Sequence, residues 1–223
     1  MLKASFRLGR PLALPCAVFA FVVATMGVRA QTQATALTVG ILPFDAATVD
    51  GWSNSSAQAM AKLVRMEMIK GENLQPVLLD IPAGQRLPLS PQRAAEAGKS
   101  ADVDVVLAGT VLEASSTQAS NSGWLPSKIG TSVGGNVTRA KGTVSLEVEL
   151  VDASTGKLAD TFKVEAHNTD VGVGGNVSSV LGGFSAGDNA WMKTPLGKAL
   201  QDAATKLTQE VVRRRGKLTH HSS

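Results

Sequence analysis

The sequence holds a single cysteine, Cys16, no tyrosine, and only 4% aromatic residues. One cysteine cannot form a disulfide within the chain, and a metal site built on several thiolates is excluded with it. Histidine is scarce too. His167 stands beside Asn168 and Asp170, and His220-His221 lie in a polar tail. Isolated imidazoles do not supply the convergent ligands a metal needs, so no cofactor is expected. The positive charge is local. The chain has 22 Lys and Arg against 18 Asp and Glu, but Lys3, Arg7, Arg10 and Arg29 fall in the first thirty residues, where there is no acid. Beyond them the charges balance, and no nucleic-acid partner is expected. The remaining basic cluster, Arg213, Arg214, Arg215 and Lys217, sits where the last helix should end, and cations there suit the helix dipole.

Long apolar runs are absent except for one. Leu12 to Met26 is apolar but carries Pro15, and it is shorter than the ~20 residues that span a bilayer. Lys3, Arg7 and Arg10 precede it, and the small residues Val28 and Ala30 follow. This order predicts a signal peptide over residues 1–30, cut after Ala30, and therefore an exported, periplasmic protein. Cys16 lies early in the apolar run rather than after it, so no lipid anchor is expected at that residue.

What the chain does contain is alternating local order. Leu37 to Phe44 reads as a buried strand, followed by a polar loop from Asp45 to Ser56. Met60, Leu63, Val64 and Met68 form a helical stripe that Gly71 stops. Gln75 to Leu79 reads as a second strand. Ser90-Pro91 opens a short helix through Ala97, since proline suits the first helical position. Val103 to Leu112 is a third strand. Thr143 to Val151 alternates, with Val144, Leu146, Val148 and Leu150 on one face. Asp152 to Gly156 is turn chemistry, and Lys157 to Ala166 returns as a hairpin partner. Thr194-Pro195 starts a final helix with the stripe Leu196, Leu200, Ala203, Leu207 and Val211. The fold class predicted is α/β: a small mixed sheet packed with helices, in the order strand, helix, strand, helix, three strands, helix. The domain is expected over residues 31–215, with 216–223 as a flexible tail.

Tests for catalysis fail on context. Gly183-Phe184-Ser185-Ala186-Gly187 matches G-x-S-x-G, but a nucleophile elbow needs a buried strand before the serine and a helix after it. Neither is legible, so a serine hydrolase acting through Ser185 is the weakest reading. Glu147 and Glu149 share a strand face, yet paired acids need a cleft that separates their pKa values. Gly172, Gly174 and Gly175 neither follow the first strand nor open a helix, so they do not cradle a phosphate. The chain is not expected to be an enzyme.

Two glycine- and serine-rich insertions interrupt the domain, at 114–142 and 167–193. They share a pentapeptide: Val133-Gly134-Gly135-Asn136-Val137 recurs as Val173-Gly174-Gly175-Asn176-Val177. In the first, Ile129, Val133 and Val137 fall on one face of an alternating pattern. In the second, Val171, Val173 and Val177 do the same. Strands that cross a bilayer within a barrel need such a dyad pattern over ~9–11 residues. These six residues are the candidate membrane-facing positions of two β-hairpins. The alternative is a pair of glycine-rich loops, because glycine weakens strands and Trp124, Phe184 and Trp191 make a sparse aromatic girdle.

The ordered motifs resemble the CsgG-like family, the curli production assembly and transport components of bacterial outer membranes. The likeness rests on Val39-Gly40-Ile41-Leu42-Pro43-Phe44 and on Val103-Asp104-Val105-Val106-Leu107-Ala108-Gly109-Thr110-Val111. It rests also on the hairpin of Val148-Glu149-Leu150-Val151-Asp152 with Ser154-Thr155-Gly156-Lys157-Leu158, and on Thr194-Pro195-Leu196-Gly197-Lys198-Ala199. The resemblance implies a homo-oligomeric channel that passes exported fibre subunits, each copy adding two hairpins to a shared barrel. It places a pore constriction in the loop after the first strand, where Trp52 and Asn54 match the aromatic and asparagine of that lining. The chain departs from the family in lacking a suitably placed lipoprotein cysteine. Related folds serve as soluble periplasmic accessory proteins, and a pore-free accessory or regulatory module that contacts other envelope assembly proteins is the alternative expectation.

Overall fold

The computed structural model describes residues 36–46, 48–71, 73–81, 85–123, 135–171, 181, 183–184 and 189–218. The expected signal peptide over 1–30 lies outside them. Among the described residues there are five strands and three α-helices: β1 Leu37–Ile41, α1 Asn54–Ile69, β2 Leu74–Leu78, α2 Pro91–Ser100, β3 Val105–Gly123, β4 Gly135–Asp152, β5 Leu158–Val171 and α3 Pro195–Leu218. The predicted α/β class and element order hold.

One mixed sheet runs β2-β1-β3-β4-β5. β1 pairs in parallel with β2, from Leu37↔Leu74 to Ile41↔Leu78, and with β3, from Val39↔Val105 to Ile41↔Leu107. β3, β4 and β5 are antiparallel neighbours. The alternation in β4 seats Val144, Leu146, Val148 and Leu150 at 0% exposure on the face that α1 and α3 cover. The apolar stripe of α3 meets it: Leu196, Leu200, Ala203, Leu207 and Val211 are all fully buried. Each large side chain so buried contributes roughly 1.5–3 kcal/mol. α2 covers part of the opposite face, where Ala94 and Ala95 pack with Val106, Val151 and Ala153.

Local chemistry explains most boundaries. Ser53 caps α1 by accepting from the Ser56 N–H at 3.2 Å. The helix therefore begins at Asn54, earlier than the sequence suggests. α2 continues through Gly98 to Ser100, and an added Cβ at Gly98 would lie 2.4 Å from Val106 Cγ2, so the helix end packs closely on β3. Thr194 caps α3: its Oγ1 accepts from the Gly197 N–H at 3.0 Å and donates to the Trp191 carbonyl at 2.6 Å. α3 runs to Leu218, which is buried, so residues 216–218 belong to the helix rather than to a tail. Arg214 secures that end. Its Nε donates to Asp160 at 2.9 Å, it pairs with Glu210, and its guanidinium lies 4.2 Å from the centre of the Phe162 ring.

The expected end of β3 at Leu112 is corrected. The strand passes a bulge between Val111 and Glu113 and stays paired with β4 as far as Gly123↔Gly135. Much of the first insertion is thus an extension of the sheet. Where it departs, α3 presses on it. A Cβ on Gly142 would lie 2.4 Å from backbone atoms of Pro195 and Leu196. Gly142→Val should therefore destabilise the protein by about 1–3 kcal/mol in urea unfolding, as overpacking does. Gly216→Ala, with nothing within 4 Å, should be neutral or stabilise by up to about 1 kcal/mol.

The β4–β5 turn makes a second prediction. Asp152 is buried, which disfavours its charge. The Ser154 hydroxyl at 2.6 Å and the Ser154 and Thr155 N–H groups at 2.7 and 3.1 Å outweigh that cost and hold its pKa below the ordinary carboxylate value. A depressed folded-state pKa adds stability that is present above pH ~4 and lost as pH falls through the folded value. Asp152→Asn should be less stable than the parent at pH 7, and the two should converge on acidification when unfolding is followed from pH 6 to 3.

Candidate functional site

Strand direction gathers the candidate regions. β1, β2, β3 and β5 run one way and β4 the other. The loop after β1, the connection after β2, the β3–β4 turn and the chain leaving β5 therefore emerge at one end of the sheet. Each of the three described α-helices begins at that end, because each returns against the strand before it. Helix N-termini carry partial positive charge.

The loop from Leu42 to Ser53 starts by extending the sheet. Leu42 N–H donates to Leu107 O at 3.0 Å, Asp45 N–H to Gly109 O at 2.9 Å, and Val111 N–H to Asp45 O at 2.7 Å. It then turns away beside the β3 bulge. Trp52 N–H donates to Val49 O at 3.1 Å, and the Trp52 indole Nε1–H donates to Phe44 O at 3.1 Å. The indole is half-buried. Its ring centroid lies 6.3 Å from Phe184, and Phe184 meets Trp191 edge-on at 4.7 Å. Such aromatic pairs add about 0.5–1.5 kcal/mol beyond their buried area.

Grooves flank this loop. One, of about 480 Å³, is lined by Phe44, Asp45, Trp52, Asn54, Arg86 and Leu87 among others. The other, of about 380 Å³, lies between Thr48–Asp50 and Leu112–Ser115. Asn54 is exposed at the first position of α1 and opens on the larger groove. Trp52 and Asn54 thus sit together, on either side of the helix cap. The remaining candidates are spread along the insertions. Val137 lies in β4 and Val171 ends β5, while Ile129, Val133, Val173 and Val177 fall outside the described residues.

Ser185 lies outside the described residues, and its neighbour Phe184 is a core side chain at 3% exposure. Glu147 and Glu149 are half-buried beside Asp45 and Thr110 around a cavity of about 120 Å³. Among the described residues no three His, Cys, Asp or Glu side chains gather as a metal site, and no helix is long and apolar enough to cross a membrane. The latter says nothing of strands. Sequence reasoning missed the aromatic trio. Its signal was the pair Phe184 and Trp191 in a stretch otherwise glycine-rich.

Removing the indole donor while keeping an aromatic ring, as in Trp52→Phe, should cost about 0.5–1.5 kcal/mol in equilibrium unfolding. Trp52→Ala should cost at least twice as much. Equal effects would mean that the ring contacts contribute nothing.

A family model described as curli production assembly/transport component CsgG matches residues 14–220. No curated protein matches the chain. Among solved structures, hypothetical protein CT253 from Chlamydia trachomatis is similar at 14% identity and a TM-score of 0.51, covering 82% of this chain and 97% of that one. At that identity the likeness shows a shared fold. The PelC dodecamer from Paraburkholderia phytofirmans aligns at 14% identity and a TM-score of 0.42, covering 78% and 86%. XCC0632 from Xanthomonas campestris aligns at 10% and 0.45, covering 83% and 89%.

Proposed function

The chain belongs to the CsgG family of curli production assembly/transport components, and from that premise we propose that it acts as a homo-oligomer in secretion or assembly of exported protein at the outer membrane. Its role is a non-catalytic one in envelope assembly and transport. The signal over 1–30 delivers it to the periplasm. The observation that carries the oligomer is the long β3–β4 extension, from Ser115↔Thr143 to Gly123↔Gly135. Among the described residues β3 has no neighbour on its other side there, since β1 ends at Ile41 and the last bridge joins Asp45 to Thr110. A free edge is a template for another strand. Copies arranged head to tail would pair such edges, and a rotation that closes gives a ring.

In that ring the loop carrying Trp52 and Asn54 faces the axis as the constriction, and the two insertions stand together at one rim. Ile129, Val133, Val137, Val171, Val173 and Val177 face lipid. Exported fibre subunits pass within. A second reading has support of its own. Along the extension, Ser115, Thr117, Ala119, Asn121 and Gly123 alternate with Ser116, Gln118, Ser120 and Ser122, and neither set is apolar. A stem of this kind belongs in water. It favours a soluble periplasmic accessory module whose insertions dock other envelope assembly proteins.

The two readings part on lipid. A cation on the lipid face at mid-bilayer costs ~2–4 kcal/mol. Val133→Arg and Val173→Arg should shift the protein from the outer-membrane fraction to the periplasmic one while far-UV circular dichroism stays unchanged. Unaltered membrane retention would exclude these positions from lipid, and a parent found only in the soluble fraction would select the accessory module.

A further inference from the structure

We propose that Leu181 and Phe184 latch the loop between β1 and α1, so that displacing these two side chains releases residues 48–53. Among the described residues of the loop past Asp45, Trp52 N–H to Val49 O is a backbone bond within the tip. Side-chain packing from another part of the chain also holds the tip. Phe184 stands between Trp52 and Trp191, at 6.3 and 4.7 Å. Leu181, 1% exposed, reaches the turn at Gly51, where an added Cβ would lie 3.9 Å from its Cδ1. The far end of the latch is fixed. Trp191 is buried, its carbonyl accepts from Thr194, and Thr194 caps α3. The near end is fixed too, because the Trp52 indole donates to Phe44 O and the Phe44 ring is fully buried.

Phe184 is therefore the joint between a rigid helix start and a loop that grooves leave open on two sides. Displacement of Phe184 is transmitted through this joint to Trp52. Coupling of this kind is reciprocal. What the loop does when released rests on the constriction reading above, but the coupling itself does not.

Hydrogen exchange on the full chain, followed by mass spectrometry, reads the coupling directly, because local opening sets the exchange rate. Phe184→Ala should speed exchange of the Trp52 amide, which is hydrogen-bonded within the tip, at least tenfold while Val105–Leu107 and Leu207–Val211 keep parental rates. Trp52→Ala should speed exchange around 181–184 in return. Should Phe184→Ala loosen every segment together, Phe184→Leu keeps apolar bulk without the ring and is read in its place. Parental exchange at the Trp52 amide in either variant, once 181–184 has opened, overturns the latch. So does uniform acceleration in both variants, which would make Phe184 an ordinary core residue.

Discussion

The close approach of α3 to β4 is the constraint on which the rest of the structure depends. At Gly142 the helix start lies against the strand backbone, leaving no space for a side chain. That contact sets where α3 begins, and the fully buried stripe from Leu196 to Val211 sets its direction. Because α3 begins there, the 3-10 turn Asn189–Lys193 with Trp191 is held over the same end of the sheet. Phe184, and with it Trp52, follows. Ion pairs brace both ends of the helix against β5: Lys198 with Asp170 at 2.5 Å, and Arg214 with Asp160 at 2.9 Å. The basic cluster at the end of α3 is accordingly structural in part, since Arg213 and Arg214 both engage Glu210.

The periodic parts of this fold were legible without the structure. Val144 to Leu150 alternate because one face of β4 is dry, and Leu196 to Val211 recur at helical spacing because one face of α3 is. Asp152 to Gly156 announced the turn that Asp152 closes, with Gly156 at φ +70°. The length of β3 was not legible. Ser115 to Gly123 is poor in the β-branched and aromatic residues that mark strands, and its pairing is supplied by β4 across the hairpin. The start of α1 was hidden because Asn54 and Ser55 read as loop residues, and only the Ser53 cap shows otherwise. Phe184 was read as part of a hydrolase-like motif. Its burial depends on Trp191 and Trp52, which lie apart in sequence and meet only through the fold. Trp52 and Asn54 were singled out through family resemblance, and nothing in their local pattern distinguished them from an ordinary polar loop.

One end of the small sheet gathers the candidate functional features. Parallel β1 and β2, with β3 and β5 running alongside, send every long connection to that end, and the helices return from it. An envelope assembly component needs such a division: a closed core to fold around, and an end free to meet other molecules. The polar stem of the hairpin and the apolar residues Ile129, Val133 and Val137 divide the first insertion in the same way. Both accounts of its role use this end, and they differ in whether the insertions meet lipid or protein.

The central claim is that copies of the chain assemble through the extended β3–β4 hairpin. Native mass measurement in mild detergent tests it most directly, comparing the full chain with a version in which residues 118–140 are replaced by Asn-Gly to close the rung Thr117↔Lys141, which keeps Gly142 against α3. The account predicts a multiple of the single-chain mass for the parent, and single-chain mass with the helical circular dichroism retained for the trimmed form. A parent that measures as one chain, or a trimmed form that assembles as the parent does, would contradict it.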